Sequence, residues 1–95
     1  MRLFPTKISD LMIVELESFQ DERGTFIRAW DAEAWGAHGI GPFVQDNVSV
    51  SATGVLRGLH FQRIAPQGKL VSVMAGTIFD VAVDIRPGSP THGEW

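Results

Sequence analysis

The chain has neither cysteine nor tyrosine among its 95 residues. Without cysteine it can form no disulfide framework and no thiolate metal site. No apolar run approaches the roughly 20 residues that a membrane-spanning helix needs. The N-terminus also lacks the charged-then-apolar order of a secretion signal. We therefore expect a cytoplasmic protein with no membrane partner.

Positive charge is scarce as well. Eight Lys and Arg residues stand against 11 Asp and Glu, which gives a formal net charge of −3. Proteins that bind nucleic acid usually carry a basic patch, so we expect no nucleic-acid partner. The composition, with 44% hydrophobic and 20% charged residues, is typical of a globular protein. The length of 95 residues allows one domain at most.

Most of the chain has the pattern of short β-strands separated by glycine or proline. Strands are predicted at 12–16, 25–30, 44–51, 55–62, 70–75 and 77–85. A charged turn is predicted at 18–24, and a helix of about two turns at 31–38 with Asp31 as N-cap and Gly39 as stop. Such spacing favours an all-β sandwich or barrel. Because the chain ends at Trp95, where a further strand is expected, we interpret residues 1–95 as the N-terminal portion of one β domain.

The segment 45–62, QDNVSVSATGVLRGLHFQ, combines groups that suit a ligand site. Its first half alternates valines, which we expect to be buried, with a polar row made of Gln45, Asn47, Ser49 and Ser51. A Thr53-Gly54 turn then brings Arg57 and His60 beside that row. Amides can orient a ligand, arginine can bind an anion and histidine can move a proton. The segment predicts an enclosed site for a polar, anionic small molecule.

Each charged or titratable candidate for the site, inside or outside this segment, can also be interpreted as a residue with no role in ligand binding or catalysis. His60 either transfers a proton or is a strand histidine without a chemical role. Arg57 and Lys69 either contact an anion or are solvated surface cations. Arg23 pairs either with a ligand or with its acidic neighbours. Arg57 and His60, three residues apart, can reach one pocket only if Gly58 lies at a bulge or bend.

The predicted strand 77–85 has a second polar row, formed by Asp80, Ala82, Asp84 and Arg86. Two carboxylates around a small alanine suit a concave interior, and a solvated outer face is the alternative. We interpret the row as a lining of the same cavity. A metal site at His60 is poorly supported, because Phe61 and Gln62 follow it and no second histidine lies two residues on.

Three blocks together resemble the dTDP-4-dehydrorhamnose 3,5-epimerase family. They are DERGTF at 21–26, the segment 45–62, and QGKLVSVMAGTIFDVAVDIRPGSPTHGEW at 67–95. The resemblance implies a cupin-like jelly-roll barrel that is a homodimer in its complete form. It also implies an isomerase of nucleotide-sugar (dTDP-rhamnose) biosynthesis, which epimerises dTDP-4-dehydro-6-deoxyglucose at C3 and C5 to dTDP-4-dehydrorhamnose with no metal and no organic cofactor.

The resemblance also implies roles for individual residues. The family's general base corresponds to His60. Its substrate-binding positions correspond to Arg23, Gln45, Asp46, Asn47, Arg57 and Lys69. Since the C4 ketone acidifies the C3 and C5 hydrogens, His60 would remove a proton and Lys69 would stabilise the enolate. Arginines at the rim of the pocket would hold the diphosphate.

Three departures from the family's pattern stand out. Arg28 occupies a position that is usually glutamate and contacts substrate. The family's general acid is a tyrosine of the second half of the domain, and this chain has no tyrosine. The carboxylate that orients the base histidine also comes from that second half, so this chain does not supply it. We therefore expect the isolated chain to be an inactive fragment. The alternatives are a related nucleotide-sugar 3-epimerase, a non-catalytic sugar-nucleotide-binding jelly-roll module and a metal-dependent cupin oxygenase.

Overall fold

The computed structural model describes residues 1–95, and its regular structure lies within residues 2–36. Four short strands form two antiparallel two-stranded sheets, and one short helix follows them. The strands are β1 (Arg2–Pro5), β2 (Met12–Glu15), β3 (Ser18–Asp21) and β4 (Gly24–Ile27). The helix is α1 (Ala32–Gly36). The regular structure is thus predominantly β, as the sequence pattern predicted.

The first hairpin pairs β1 with β2 in the register Leu3↔Val14 and Phe4↔Ile13. The strand predicted at 12–16 is confirmed, whereas β1 was missed because its four residues have too short a pattern to read. A side-chain turn shapes the connecting loop: the Thr6 hydroxyl donates to the Ile8 carbonyl at 3.1 Å and accepts from the Ile8 amide at 3.2 Å. Ile8 is buried, with 7% of its surface exposed.

The second hairpin corrects the predicted turn at 18–24. Residues 18–21 form β3, which pairs with β4 in the register Phe19↔Phe26, and only Glu22 and Arg23 form the turn. Charged side chains suggested a longer loop, but one strand face needs only every second residue to be apolar. The facing phenylalanines also supply a favourable cross-strand pair.

The helix begins and ends with the predicted caps. The Asp31 carboxylate accepts from the Ala34 amide at 3.0 Å, which satisfies one of the amides that a helix start leaves unpaired. Beyond the C-terminus, the Gly39 amide donates to the Gly36 carbonyl and the Ile40 amide to the Trp35 carbonyl. Together with φ of +73° at Gly39, these bonds form a Schellman stop. Trp35, 3% exposed, is the buried residue of the helix.

Strands predicted at 44–51, 55–62, 70–75 and 77–85 are not formed. These segments have no ladder hydrogen bonds to a neighbouring strand. The predicted turn between the first two of these segments is present at Thr53-Gly54. Alternation specifies which side chains share a face, but a strand also needs a neighbour that pairs with its backbone. In this chain those four segments lack such a neighbour, so the prediction was wrong for them.

The chain divides into two units. One contains residues 1–30 and 73–95, and the other contains residues 31–72. The first holds both sheets and buries Ile8, and the second holds α1 and buries Trp35. No helix has the length and apolar character that crossing a membrane requires.

Candidate functional site

Residues 45–51, the first half of the segment 45–62, keep the predicted alternation but are exposed to solvent. The Gln45 side-chain amide donates to the Asn47 side-chain oxygen at 3.3 Å, as expected for residues on the same side of an extended chain. Asp46 between them is exposed. The valines that we expected to be buried are also exposed, at 95% for Val44 and 91% for Val50. The enclosed face is therefore not formed, because no second layer of structure covers the valines.

A tight turn joins the two halves of the segment 45–62, as predicted. The Val55 amide donates to the Ala52 carbonyl at 3.3 Å across Thr53 and Gly54. Beyond this turn Arg57 Nε donates to Ser51 Oγ at 3.0 Å. The predicted cation is thus held against the last residue of the polar row by a side-chain hydrogen bond.

Gly58 separates Arg57 from His60 with a backbone that departs from a regular strand. Its φ of +109° is one that residues with a Cβ rarely adopt. A Cβ placed there would lie 3.7 Å from His60 Nδ1, so the imidazole lies close over the glycine. The bend that a shared pocket for Arg57 and His60 requires is present. That both side chains serve one pocket stays a prediction.

A pair of amides closes the loop that leads from His60 to Lys69. The Gln62 side chain donates to the Gln67 side-chain oxygen at 2.9 Å, across residues 63–66. Lys69 follows two residues later and is exposed. Neither glutamine is predicted as a site residue from the sequence. The number of residues between two amides does not reveal whether their side chains pair across a loop.

Arg23 pairs with an acidic neighbour, one of the two alternatives open from the sequence. Its Nη2 lies 2.6 Å from Asp21 Oδ2, and the Asp21 carboxylate also accepts from the Arg23 amide at 2.8 Å. The side-chain bond to Arg23 is the main reason why the pKa of Asp21 is lowered, and the same bond raises the pKa of Arg23. Because the pair is exposed to water, it contributes little to stability.

The most densely bonded group in the chain surrounds Asp84. Its side chain is fully buried and accepts from Arg86 Nε and Nη2 at 2.9 Å each. Ser89 Oγ and Thr91 Oγ1 donate to the same carboxylate at 2.6 and 2.7 Å. Arg86 also contacts Asp10 at 2.9 Å. The cluster joins the 84–91 segment to the loop between β1 and β2.

This cluster corrects the interpretation of the second polar row. Asp84 does not line an open cavity, since its oxygens are occupied, while Asp80 and Ala82 are exposed. The bonds from Arg86 above all, and those from Ser89 and Thr91, hold the pKa of Asp84 far below its ordinary value. A carboxylate in this state cannot serve as a proton donor near neutral pH. The D-x-R spacing followed by the Ser-Pro-Thr turn was the sequence signal that could have revealed it.

Replacing Asp84 by asparagine is expected to loosen the 84–94 segment. The Gly93 amide donates to the Asp84 carbonyl and the Asp84 amide to the Glu94 carbonyl, so both amides report on the cluster. We expect their hydrogen exchange to accelerate by about tenfold or more, since hydrogen bonds to a charged acceptor are lost. Asp80→Asn, at an exposed carboxylate, is the matched control and should leave both rates unchanged.

The pH dependence of this effect has a defined sign. Because the folded pKa of Asp84 is lowered, its stabilising contribution is complete above about pH 4 and is lost as the pH falls towards the folded pKa. The difference between the unchanged chain and Asp84→Asn should therefore persist from pH 7 to 5 and shrink at lower pH. Equal exchange in both proteins at pH 7 would contradict the assignment.

Comparison with known proteins reveals one family. Residues 5–95 match the family model described as dTDP-4-dehydrorhamnose 3,5-epimerase. A relative of that name from Methanothermobacter thermautotrophicus is 52% identical over 95 residues, covering 99% of this chain and 51% of the relative. One from Shigella flexneri is 48% identical, covering 100% of this chain and 54% of the relative.

A relative from Streptomyces niveus carries a different name, dTDP-4-dehydrorhamnose 3-epimerase. It is 41% identical over 99 residues, covering 100% of this chain and 47% of the relative. The chain thus spans about half the length of the relatives it matches. No solved structure matches it.

Proposed function

Because the chain belongs to the dTDP-4-dehydrorhamnose 3,5-epimerase family, we propose that it is the base-bearing part of an epimerase acting on dTDP-4-dehydro-6-deoxyglucose. The observation that carries the proposal is the family match over residues 5–95. That range contains every residue predicted for the site, namely Arg23, Gln45, Asp46, Asn47, Arg57, His60 and Lys69.

The proposed chemistry needs only side chains. The C4 ketone acidifies the hydrogens at C3 and C5, and His60 removes one of these protons as general base. The electron pair moves onto the ketone oxygen, where the Lys69 ammonium stabilises the enolate. Returning a proton to the opposite face inverts the carbon. This chain has no tyrosine to act as the family's acid, so we assign that step to a group outside residues 1–95.

We propose that residues 1–95 form the N-terminal portion of a jelly-roll barrel that assembles as a homodimer. The alternating segments at 44–51, 55–62, 70–75 and 77–85 support this proposal. Each is predicted as a strand from its sequence, and each leaves large apolar side chains exposed, among them Val44, Leu56, Met74 and Phe79. Partner strands and a facing sheet in a barrel would pair their backbones and cover those side chains.

A second candidate is epimerisation at C3 alone. Its support is the similarity to the Streptomyces niveus relative, whose name states that activity. Arg28, which follows β4 where the family usually has glutamate, lies at a position that could alter the choice of substrate.

A hybrid protein distinguishes these candidates. In it, this chain replaces the 51% of the Methanothermobacter thermautotrophicus relative that it matches. Incubated in deuterium oxide with dTDP-4-dehydro-6-deoxyglucose and a chelator, the hybrid should exchange both the C3 and C5 hydrogens in proton NMR spectra. The unmodified relative is the positive control. Exchange at C3 alone would favour the second candidate, and a folded hybrid that binds dTDP but exchanges neither hydrogen would contradict both.

A further inference from the structure

Ser51 holds the arginine that would bind the diphosphate, and it does so through one particular nitrogen. Its hydroxyl oxygen accepts from Arg57 Nε at 3.0 Å. The turn across Thr53 and Gly54 brings these two residues together, and both belong to the unit formed by residues 31–72. From the sequence, Ser51 is predicted only as a member of the polar row.

The choice of nitrogen matters because a guanidinium has five N–H groups in a fixed planar fork. When Nε is occupied by a serine oxygen, the four N–H groups on the two Nη atoms stay available. Their outer edge matches two oxygens of a phosphate, which is the bidentate arrangement that makes arginine an effective anion binder. A bond to one of the two N–H groups that form this outer edge would have blocked it.

We infer that Ser51 is a positioning residue that orients Arg57 to bind the diphosphate of the substrate. The inference rests on the proposed function, since it takes a nucleoside diphosphate as the ligand. Ser51 acts by limiting rotation of the guanidinium, so less conformational freedom is lost when the ligand binds. Because the bond is exposed to water, its effect on affinity should be moderate.

The test measures binding of dTDP and of thymidine to the hybrid protein described above by equilibrium dialysis. Ser51→Ala should weaken dTDP binding by about three- to tenfold, the range expected for one hydrogen bond that is partly compensated by water. Thymidine has no phosphate, so its binding should not change. Ser51→Thr retains the hydroxyl and should bind dTDP within about twofold of the unmodified hybrid. Ser72→Ala removes an exposed serine outside the segment 45–62 and should have no effect.

A double-mutant cycle separates positioning from general damage. Lysine has no Nε–H fork for Ser51 to hold, so Ser51→Ala should cost almost nothing further in the Arg57→Lys background. An equal loss in both backgrounds would overturn the inference. So would a loss of thymidine affinity that parallels the loss for dTDP.

A measurement without ligand tests the Ser51–Arg57 hydrogen bond directly, so that the inference stays testable even if a variant fails to fold. The Arg57 Nε–H signal in nitrogen-15 NMR spectra of the hybrid protein should exchange more slowly with water than that of Arg63, and Ser51→Ala should remove the difference. Equal rates in the unmodified hybrid would overturn the inference. If the unmodified hybrid binds dTDP and Ser51→Ala binds it equally well, the inference is wrong while the proposed function stands. If the folded, unmodified hybrid does not bind dTDP, the proposed function is wrong as well.

Discussion

His60→Ala in the hybrid protein is expected to slow exchange of the C3 and C5 hydrogens by about two to four orders of magnitude, the usual effect of removing a general base. Affinity for dTDP should change little, because the diphosphate is assigned to arginines and the imidazole to the sugar ring. Exchange is followed by NMR in deuterium oxide and affinity by calorimetry. A loss confined to exchange is the signature of a group that acts only in the proton-transfer step.

The matched control for His60→Ala is His38→Ala. His38 is an exposed histidine that lies in the turn after α1, and the same side-chain deletion there should leave exchange unchanged. His60→Gln, which keeps a polar side chain but cannot take up a proton, should be as inactive as the alanine variant. Exchange within about threefold of the unmodified hybrid would move the base away from His60.

The 95-residue chain by itself is expected to show no measurable epimerisation and to self-associate. Its accessible surface is 8851 Å², whereas a folded monomer of 10.4 kDa typically exposes about 5400 Å². Much of the excess is apolar, as Leu56 at 93% exposure illustrates. Extended segments with unpaired backbone and exposed apolar side chains recruit other chains. Turnover should be absent for a separate reason, since the chain has no tyrosine.

Sedimentation, binding of a hydrophobic dye and an NMR turnover assay test the two halves of this expectation. We expect concentration-dependent association and dye fluorescence for the chain, and neither for the hybrid at the same concentration. A chain that sediments as a monomer and unfolds in one cooperative transition would contradict the first half. Turnover by the chain would contradict the second, and would require Asp80 or a water molecule to take the acid's role, because Asp84 is fully hydrogen-bonded.

Local interactions account for what could be predicted from the sequence. Asp31 and Gly39 delimit the helix because a cap needs only its nearest backbone neighbours, and the Thr53-Gly54 turn likewise closes on itself. The proximity of Gln45 and Asn47 follows from the period of an extended chain. The three segments that resemble the family, one of which contains Arg57 and His60, can also be recognised from the sequence alone.

Only the tertiary structure decided which polar groups are paired and which strands form. Asp84 lies in the same alternating row as Asp80, yet Asp84 is buried and Asp80 is exposed. Asp84 is buried because the side chains of Arg86, Ser89 and Thr91 donate hydrogen bonds to its carboxylate. Asp10, which is distant in the chain, holds Arg86 in place. The segments 44–51 and 77–85 have strand patterns without strands, because periodicity assigns faces while a strand exists only where another backbone completes its hydrogen bonds.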